Sequence, residues 1–122
     1  MKSEIGFDES TVALGADAEA RAISLLEREG YRIVERNFRC KSGELDIVAF
    51  HGDVLCFIEV RSRADDSHGD AAEMVDRKKQ KQVSRIALHF ISLRDPVFAR
   101  SRFDVVAITG DRVELIRDAW RV

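Results

Sequence analysis

The sequence predicts an α/β fold, and three observations carry that expectation. Apolar residues recur at helical spacing over residues 11–29 and again over 71–93. Between these segments, two strongly apolar runs, 44–50 and 54–62, are joined through His51-Gly52-Asp53. The chain closes on a second pair of runs, RFDVVAITGDRVELIRDAW, built around Gly110-Asp111. A Gly-Asp pair between two such runs is a hairpin signal, because the tight turn needs backbone conformations that glycine adopts freely.

Residues 1–10 are expected to form a flexible lead-in to one domain spanning 11–122. The helix over 11–29 places Ala16, Ala20, Ile23 and Leu26 on one stripe, with Asp17, Glu19, Arg21 and Glu27 off it. Gly30 stands where a helix-ending glycine belongs. A strand follows over 31–38, where Tyr31, Ile33, Val34 and Phe38 lie among basic residues. After the first hairpin, ADDSHGD (64–70) is polar and turn-like, a flexible loop. The second helix carries Val75, Val83, Ile86, Ala87, Phe90 and Ile91 on its stripe and ends at Leu93-Arg94-Asp95-Pro96. Proline restricts the residue before it and cannot continue the hydrogen-bond ladder. The predicted order is α-β-β-β-α-β-β, with no repeats and no linker.

The composition narrows the function classes. The 122 residues are 45% hydrophobic, enough to build a core without disulfide staples. Charged residues make up 34%, yet the net charge is only -2. That balance argues against coating nucleic acid through bulk charge and leaves room for a local basic patch. No run approaches the roughly 18 apolar residues of a membrane span. MKSEIGFDES has early acids and no apolar stretch, unlike a signal peptide. A cytoplasmic protein with no membrane partner is expected. Cys40 and Cys56 lack metal or redox spacing, and His51, His68 and His89 are scattered. Free thiols are expected, and a structural zinc site is not.

Against this background Asp46 and Glu59 stand out, each inside an apolar run of the first hairpin. Acids are depleted in strands and costly to bury unpaired. A two-residue turn at Gly52-Asp53 sets His51 opposite Val54, which brings Asp46 opposite Glu59 and Glu44 opposite Arg61. Opposed and alternate residues share a face, so all four side chains would point to one side. A three-residue loop would send the two acids to opposite faces.

Two carboxylates beside a cation suit a hard divalent ion such as Mg²⁺ or Mn²⁺, which takes oxygen ligands and keeps several waters. Such an ion polarises a phosphate and supplies a hydroxide at neutral pH, while the cation offsets charge developing on the phosphoryl oxygens. The competing account is structural: Glu59 pairs with Arg61, and Asp46 sits at an exposed edge. The apolar flanks Ile47-Val48-Ala49 and Phe57-Ile58 favour a purposeful site, because they imply central strands.

The motifs GADAEARAISLLEREGY, ERNFRCKSGELDIVA, FIEVRSR, DRKKQKQVSRIAL, RFDVVAIT and ELIRDAW run from Gly15 to Trp120. In them the chain resembles the YraN family of bacterial proteins. These look like nucleases of the restriction-endonuclease fold and are similar to archaeal Holliday-junction resolvases. The resemblance implies an αβββαβ core with a central mixed sheet flanked by helices. It further implies phosphodiester hydrolysis dependent on Mg²⁺ or Mn²⁺, with Asp46 and Glu59 as metal ligands and Arg61 at the catalytic lysine position. Glu19 matches an additional acid contributed by the first helix. By periodicity alone it is a solvated helix charge.

Arginine keeps its charge and matches phosphate geometry, but it cannot act as a base. Activity then depends on whether that position needs only positive charge. Lys78, Lys79 and Lys81 are candidates for phosphate-backbone contacts, since cations early in a helix oppose its macrodipole. Arg39 and Lys41, with Arg32 and Arg36, form a second basic stretch. Such contacts would position nucleic acid, with DNA the expected form, without reading its sequence. A homodimer would suit a two-fold symmetric junction, though no interface signature is visible. Asp104 is expected to face Arg117 as a cross-strand ion pair, and Phe38, Phe103 and Trp120 are expected in the core. Three functions stay open: a metal-dependent endonuclease on structured DNA, a catalytically silent nucleic-acid-binding module of the same fold, and a structural domain whose acids form salt bridges.

Overall fold

The computed structural model of the chain describes residues 8–122, except 66, 68 and 70. It is a mixed α/β structure, with helix α1 (Asp8–Arg28) leading into strands β1 (Tyr31–Cys40), β2 (Gly43–His51) and β3 (Val54–Arg63). A 3-10 turn (Ala71–Met74), helix α2 (Arg77–Arg94) and strands β4 (Arg100–Thr109) and β5 (Arg112–Trp120) complete it. The strand order in the single sheet is β1-β2-β3-β4-β5. All neighbours are antiparallel except β3 and β4, which run parallel across the α2 crossover. This is the expected α/β architecture, with a mixed sheet and an αβββαβ core. Of the lead-in expected over 1–10, residues 1–7 lie outside the described residues, and Asp8 already belongs to α1.

Each helix covers one face of the sheet. Ala18, Ala22 and Leu26 of α1 pack with Ile47, Ala49, Cys56 and Ile58 on one side. Val83, Ile86, Ala87 and Phe90 of α2 pack with Val48, Leu55, Phe57 and Phe103 on the other. Adjacent strand residues divide between the two cores, as the period of two requires. Phe38, Phe103 and Trp120 are core residues, as expected. The stripe on α1 is rotated from the expected one: Ala18 and Ala22 are buried, and Ala20 is exposed. Alanine fits either a packed or a solvated position, so spacing alone does not choose among the alanines. The sheet does, by selecting small residues where the helix comes close.

The helix expected over 71–93 is two elements. Asp76 is extended (φ -77°, ψ 174°), and its side chain accepts the Lys79 backbone N–H at 2.8 Å. An aspartate here satisfies one of the unpaired donors of the first turn and starts α2 afresh. At the other end Asp95 adopts a left-handed conformation (φ 48°), and its N–H reaches the Ile91 carbonyl at 2.9 Å.

The turn before β2 is tied to α2. Gln82 Nε2 donates to the Ser42 carbonyl at 3.0 Å. Gly43 has φ 134°, and a Cβ there would stand 2.6 Å from Gln82 Nε2. Gly43→Ala is therefore expected to cost about 1–3 kcal/mol, from backbone strain and a forced shift of Gln82. Urea unfolding checks this, and wild-type stability in the variant would remove Gly43 from the account.

Candidate metal and phosphate site

The first hairpin has the register its turn dictates. His51 pairs with Val54, and the ladder continues through Ile47 and Ile58. There the β2–β3 pairing ends, one step before Asp46 and Glu59. On the other side of β2 the pairing passes from Arg36↔Ile47 to Phe38↔Leu45, skipping Asn37 and Asp46. Asn37 takes φ 56°, a left-handed conformation that asparagine tolerates better than most residues. β3 meanwhile stays paired with β4 through Glu59↔Val105 and Val60↔Val106. The sheet therefore forks at Asp46. The Asp46 carboxylate bridges the fork, accepting the Val60 N–H at 2.8 Å.

Alternation along β3 puts Glu59 with Leu55 and Phe57 on the α2 side of the sheet. Its side chain is 2% exposed, and its Oε2 has no hydrogen-bond partner among the described residues. Burial pushes the Glu59 carboxyl up to about 7, and the Asp46 charge adds to the rise. Lys79, Arg61 and a hydrogen bond from the Asp46 backbone oppose it. Asp46 is also raised, first by burial and then by Glu44, while the Val60 hydrogen bond pulls the other way. A buried carboxylate oxygen without a donor is costly, and two such acids together repel. Both costs are relieved by a cation between them.

The cation already there is Lys79 of α2, whose Nζ lies 3.7 Å from Glu59 Oε1. The structural account, in which Glu59 pairs with Arg61, is not what forms. Arg61 makes no ion pair among the described residues, although its charge is felt by both acids. It lines a cavity of about 600 Å³ at the C-terminal end of β3, with Arg63, Asp65, Glu73 and Met74. Arg63 is held by Thr109 Oγ1 and the Gly69 carbonyl. Glu44, expected opposite Arg61, instead meets Arg39 across β1 and β2 at 3.4 Å.

The remaining expected residues separate. Glu19 is half-buried on α1, the helix on the opposite face from α2. Among the described residues no three acids, histidines or cysteines gather closely enough to hold a metal ion, so Glu19 stands outside the Asp46–Glu59 pair. Two carboxylates remain, a set that fits an ion completing its shell with water and phosphate oxygens. Lys78 and Lys81 are exposed on α2, and Lys41 is exposed in the turn. The Gln82–Ser42 hydrogen bond brings the two basic segments side by side.

Lys79 was expected to contact a phosphate backbone beside Lys78 and Lys81, and its place at the acids is a residue role that spacing missed. The signal was present. Lys79 lies four residues before Val83 and seven before Ile86, in phase with the buried stripe of α2, whereas Lys78 and Lys81 do not.

A second polar cluster sits at the far end of the sheet and corrects another expectation. Asp104 does not pair with Arg117. The β4–β5 register shifts between Phe103 and Val105, with Asp118 at φ 54°, and the Asp118 N–H donates to Asp104 Oδ1 at 2.9 Å. The ion pair is with Arg102, at 2.9 Å, and Tyr31 Oη donates to Asp104 Oδ2 at 2.7 Å. Arg117 turns to Glu29 and Tyr31. Cys56 lies beside Arg102, and burial pushes its thiol up to about 12, far from a reactive thiolate. Cys40 and Cys56 are both free, as expected. No helix among the described residues is long and apolar enough to cross a membrane.

Comparison with known proteins places the chain in a family. A sequence model described as "Uncharacterised protein family UPF0102" matches residues 18–108. A UPF0102 protein of Syntrophus aciditrophicus is 41% identical over 112 residues, covering 88% of each chain. One of Chlorobaculum tepidum is 46% identical over 95 residues, covering 78% of this chain and 74% of its own. One of Moorella thermoacetica is 44% identical over 102 residues, covering 84% and 85%. The matched segment contains Asp46, Glu59, Arg61 and Lys79, and the chain belongs to the UPF0102 family, the YraN group that its motifs resemble.

Proposed function

We propose that this chain is a divalent-metal-dependent nuclease that hydrolyses phosphodiester bonds in structured DNA. One observation carries the reading: the fully buried Oε2 of Glu59 beside Asp46, without a hydrogen-bond partner among the described residues, where the sheet forks. Asp46 and Glu59 would hold Mg²⁺ or Mn²⁺, which supplies a polarised phosphate and an activated water when bound. Asp46 is braced by the Val60 N–H and Glu59 by the α2 core, so the two carboxylates are oriented in advance. Arg61 offers a permanent positive charge to a phosphoryl oxygen and needs no proton exchange to do so. Lys78 and Lys81 on α2, with Arg39 and Lys41 beside them, would hold the flanking backbone by charge, giving salt-sensitive binding.

The second reading, a silent nucleic-acid-binding module, is favoured by Lys79, which offsets part of the acids' charge without a metal. Cleavage of a labelled panel of duplex, single-strand, flap and four-way-junction DNA in Mg²⁺ or Mn²⁺ separates the two. The nuclease reading expects cleavage by the wild type and at least a tenfold drop, about 1.4 kcal/mol of barrier, in Asp46→Asn. Salt-sensitive binding with no cleavage of any substrate would leave the silent module.

A further inference from the structure

We propose that Lys79 is the built-in counter-ion of the carboxylate pair, held where a divalent cation belongs and displaced when one binds. The inference rests on the site reading above and adds a residue role to it. Glu59 is 2% exposed, and its only ion pair among the described residues is Lys79 Nζ at 3.7 Å. That separation is long for a charge-assisted hydrogen bond, so the ammonium faces the carboxylate as a point charge and is not locked to it.

The lysine is placed by the helix. Its own backbone N–H is capped by Asp76 Oδ1 at 2.8 Å, which fixes the first turn of α2. Its side chain is 27% exposed, so the ammonium has a path to water that Glu59 lacks. Burial makes the site expensive when both acids are charged. A flexible ammonium lowers that cost while leaving the buried Oε2 without a hydrogen-bond partner among the described residues. The charges of Lys79 and Arg61 offset those of the two carboxylates, while Glu44 adds to the negative side. A divalent ion must then either expel the ammonium or sit beside it at a repulsive distance. Expulsion leaves Lys79 anchored by its stem at the rim, in reach of an anion that arrives with the metal.

The test is Mn²⁺ affinity measured by calorimetry without nucleic acid, for the wild type, Lys79→Met and Lys79→Gln. Arg28→Met, an exposed cation in the last turn of α1, controls for net charge. Removing a competing charge at this distance is expected to tighten Mn²⁺ binding by about tenfold in both Lys79 variants and to leave Arg28→Met unchanged. In EDTA the Lys79 variants are expected to melt below wild type, with Mn²⁺ closing the gap. Mn²⁺ bound equally or more weakly by the Lys79 variants overturns the counter-ion role while the site reading stands. Failure of every protein to bind Mn²⁺ overturns both.

Discussion

Glu59→Gln is expected to be more stable than wild type at pH 8, by about 2–3 kcal/mol, and to lose most of that advantage near pH 4.5. The direction follows from the carboxyl's raised proton affinity, from 4.5 in its ordinary state to about 7 in the folded chain. Such a group favours the folded state while protonated. Between about pH 4.5 and 7 the unfolded chain loses its proton and the folded chain keeps it, so stability falls as pH rises through that window. Above 7 both states are ionised, and the full cost of a buried charge remains. Each tenfold rise in proton affinity corresponds to about 1.4 kcal/mol, and the lost Lys79 pair takes back part of the gain. Urea unfolding at the two pH values measures it. A wild type more stable at pH 8 would show that Glu59 is already fully compensated, leaving nothing for a metal to relieve.

Asp104→Asn is expected to destabilise the chain by about 3 kcal/mol. Asp104 is fully buried and accepts from Arg102, Tyr31 and the Asp118 backbone. An amide retains acceptor capacity on one side only, so the Arg102 guanidinium, 18% exposed, loses its counter-charge and faces an NH₂ group. Breaking a buried pair from one side costs about 3–5 kcal/mol, and the partial exposure of Arg102 argues for the lower end. Adding Arg102→Met removes the stranded charge and is expected to restore part of the loss. A double-mutant cycle with no coupling between the two changes would contradict this account of the cluster.

The two large effects have opposite signs for one reason. Among the described residues Asp104 has a donor for each of its charge-bearing oxygens, and Glu59 does not. One acid is built to hold β1, β4 and β5 together, and the other is left open. On the proposed reading, that local inconsistency marks Glu59 as the carboxylate kept for a ligand and Asp104 as the one kept for the fold.

How much of this was legible in the sequence depends on what sets each feature. The register of the first hairpin was legible as far as Ile47↔Ile58, because a two-residue turn that sets His51 against Val54 fixes each following pair. The fork at Asp46 and the turn of Glu44 to Arg39 were not legible. The partner of Asp104 was not, because the same arithmetic fails at a bulge. Asp118 in a left-handed conformation moves Arg117 off the expected pairing, and no glycine marks the spot. The face of α1 was ambiguous because alanines occur on both sides of it. The break at Asp76 was hidden by a continuous apolar stripe, since Val75 is buried in the α2 core without belonging to α2. Charge type groups Lys79 with its basic neighbours, whereas its helical phase belongs with Val83 and Ile86. Position on the helix, and not charge, decides where that side chain goes.

The most direct measurement is the anomalous difference map of wild-type crystals soaked in Mn²⁺. The account predicts one peak in the fork, at about 2.1 Å from a carboxylate oxygen of Asp46 and from Glu59 Oε2, with Lys79 Nζ moved away from its 3.7 Å approach to Glu59. A well-occupied peak elsewhere, with Lys79 still on Glu59 and nothing between the two acids, would contradict it.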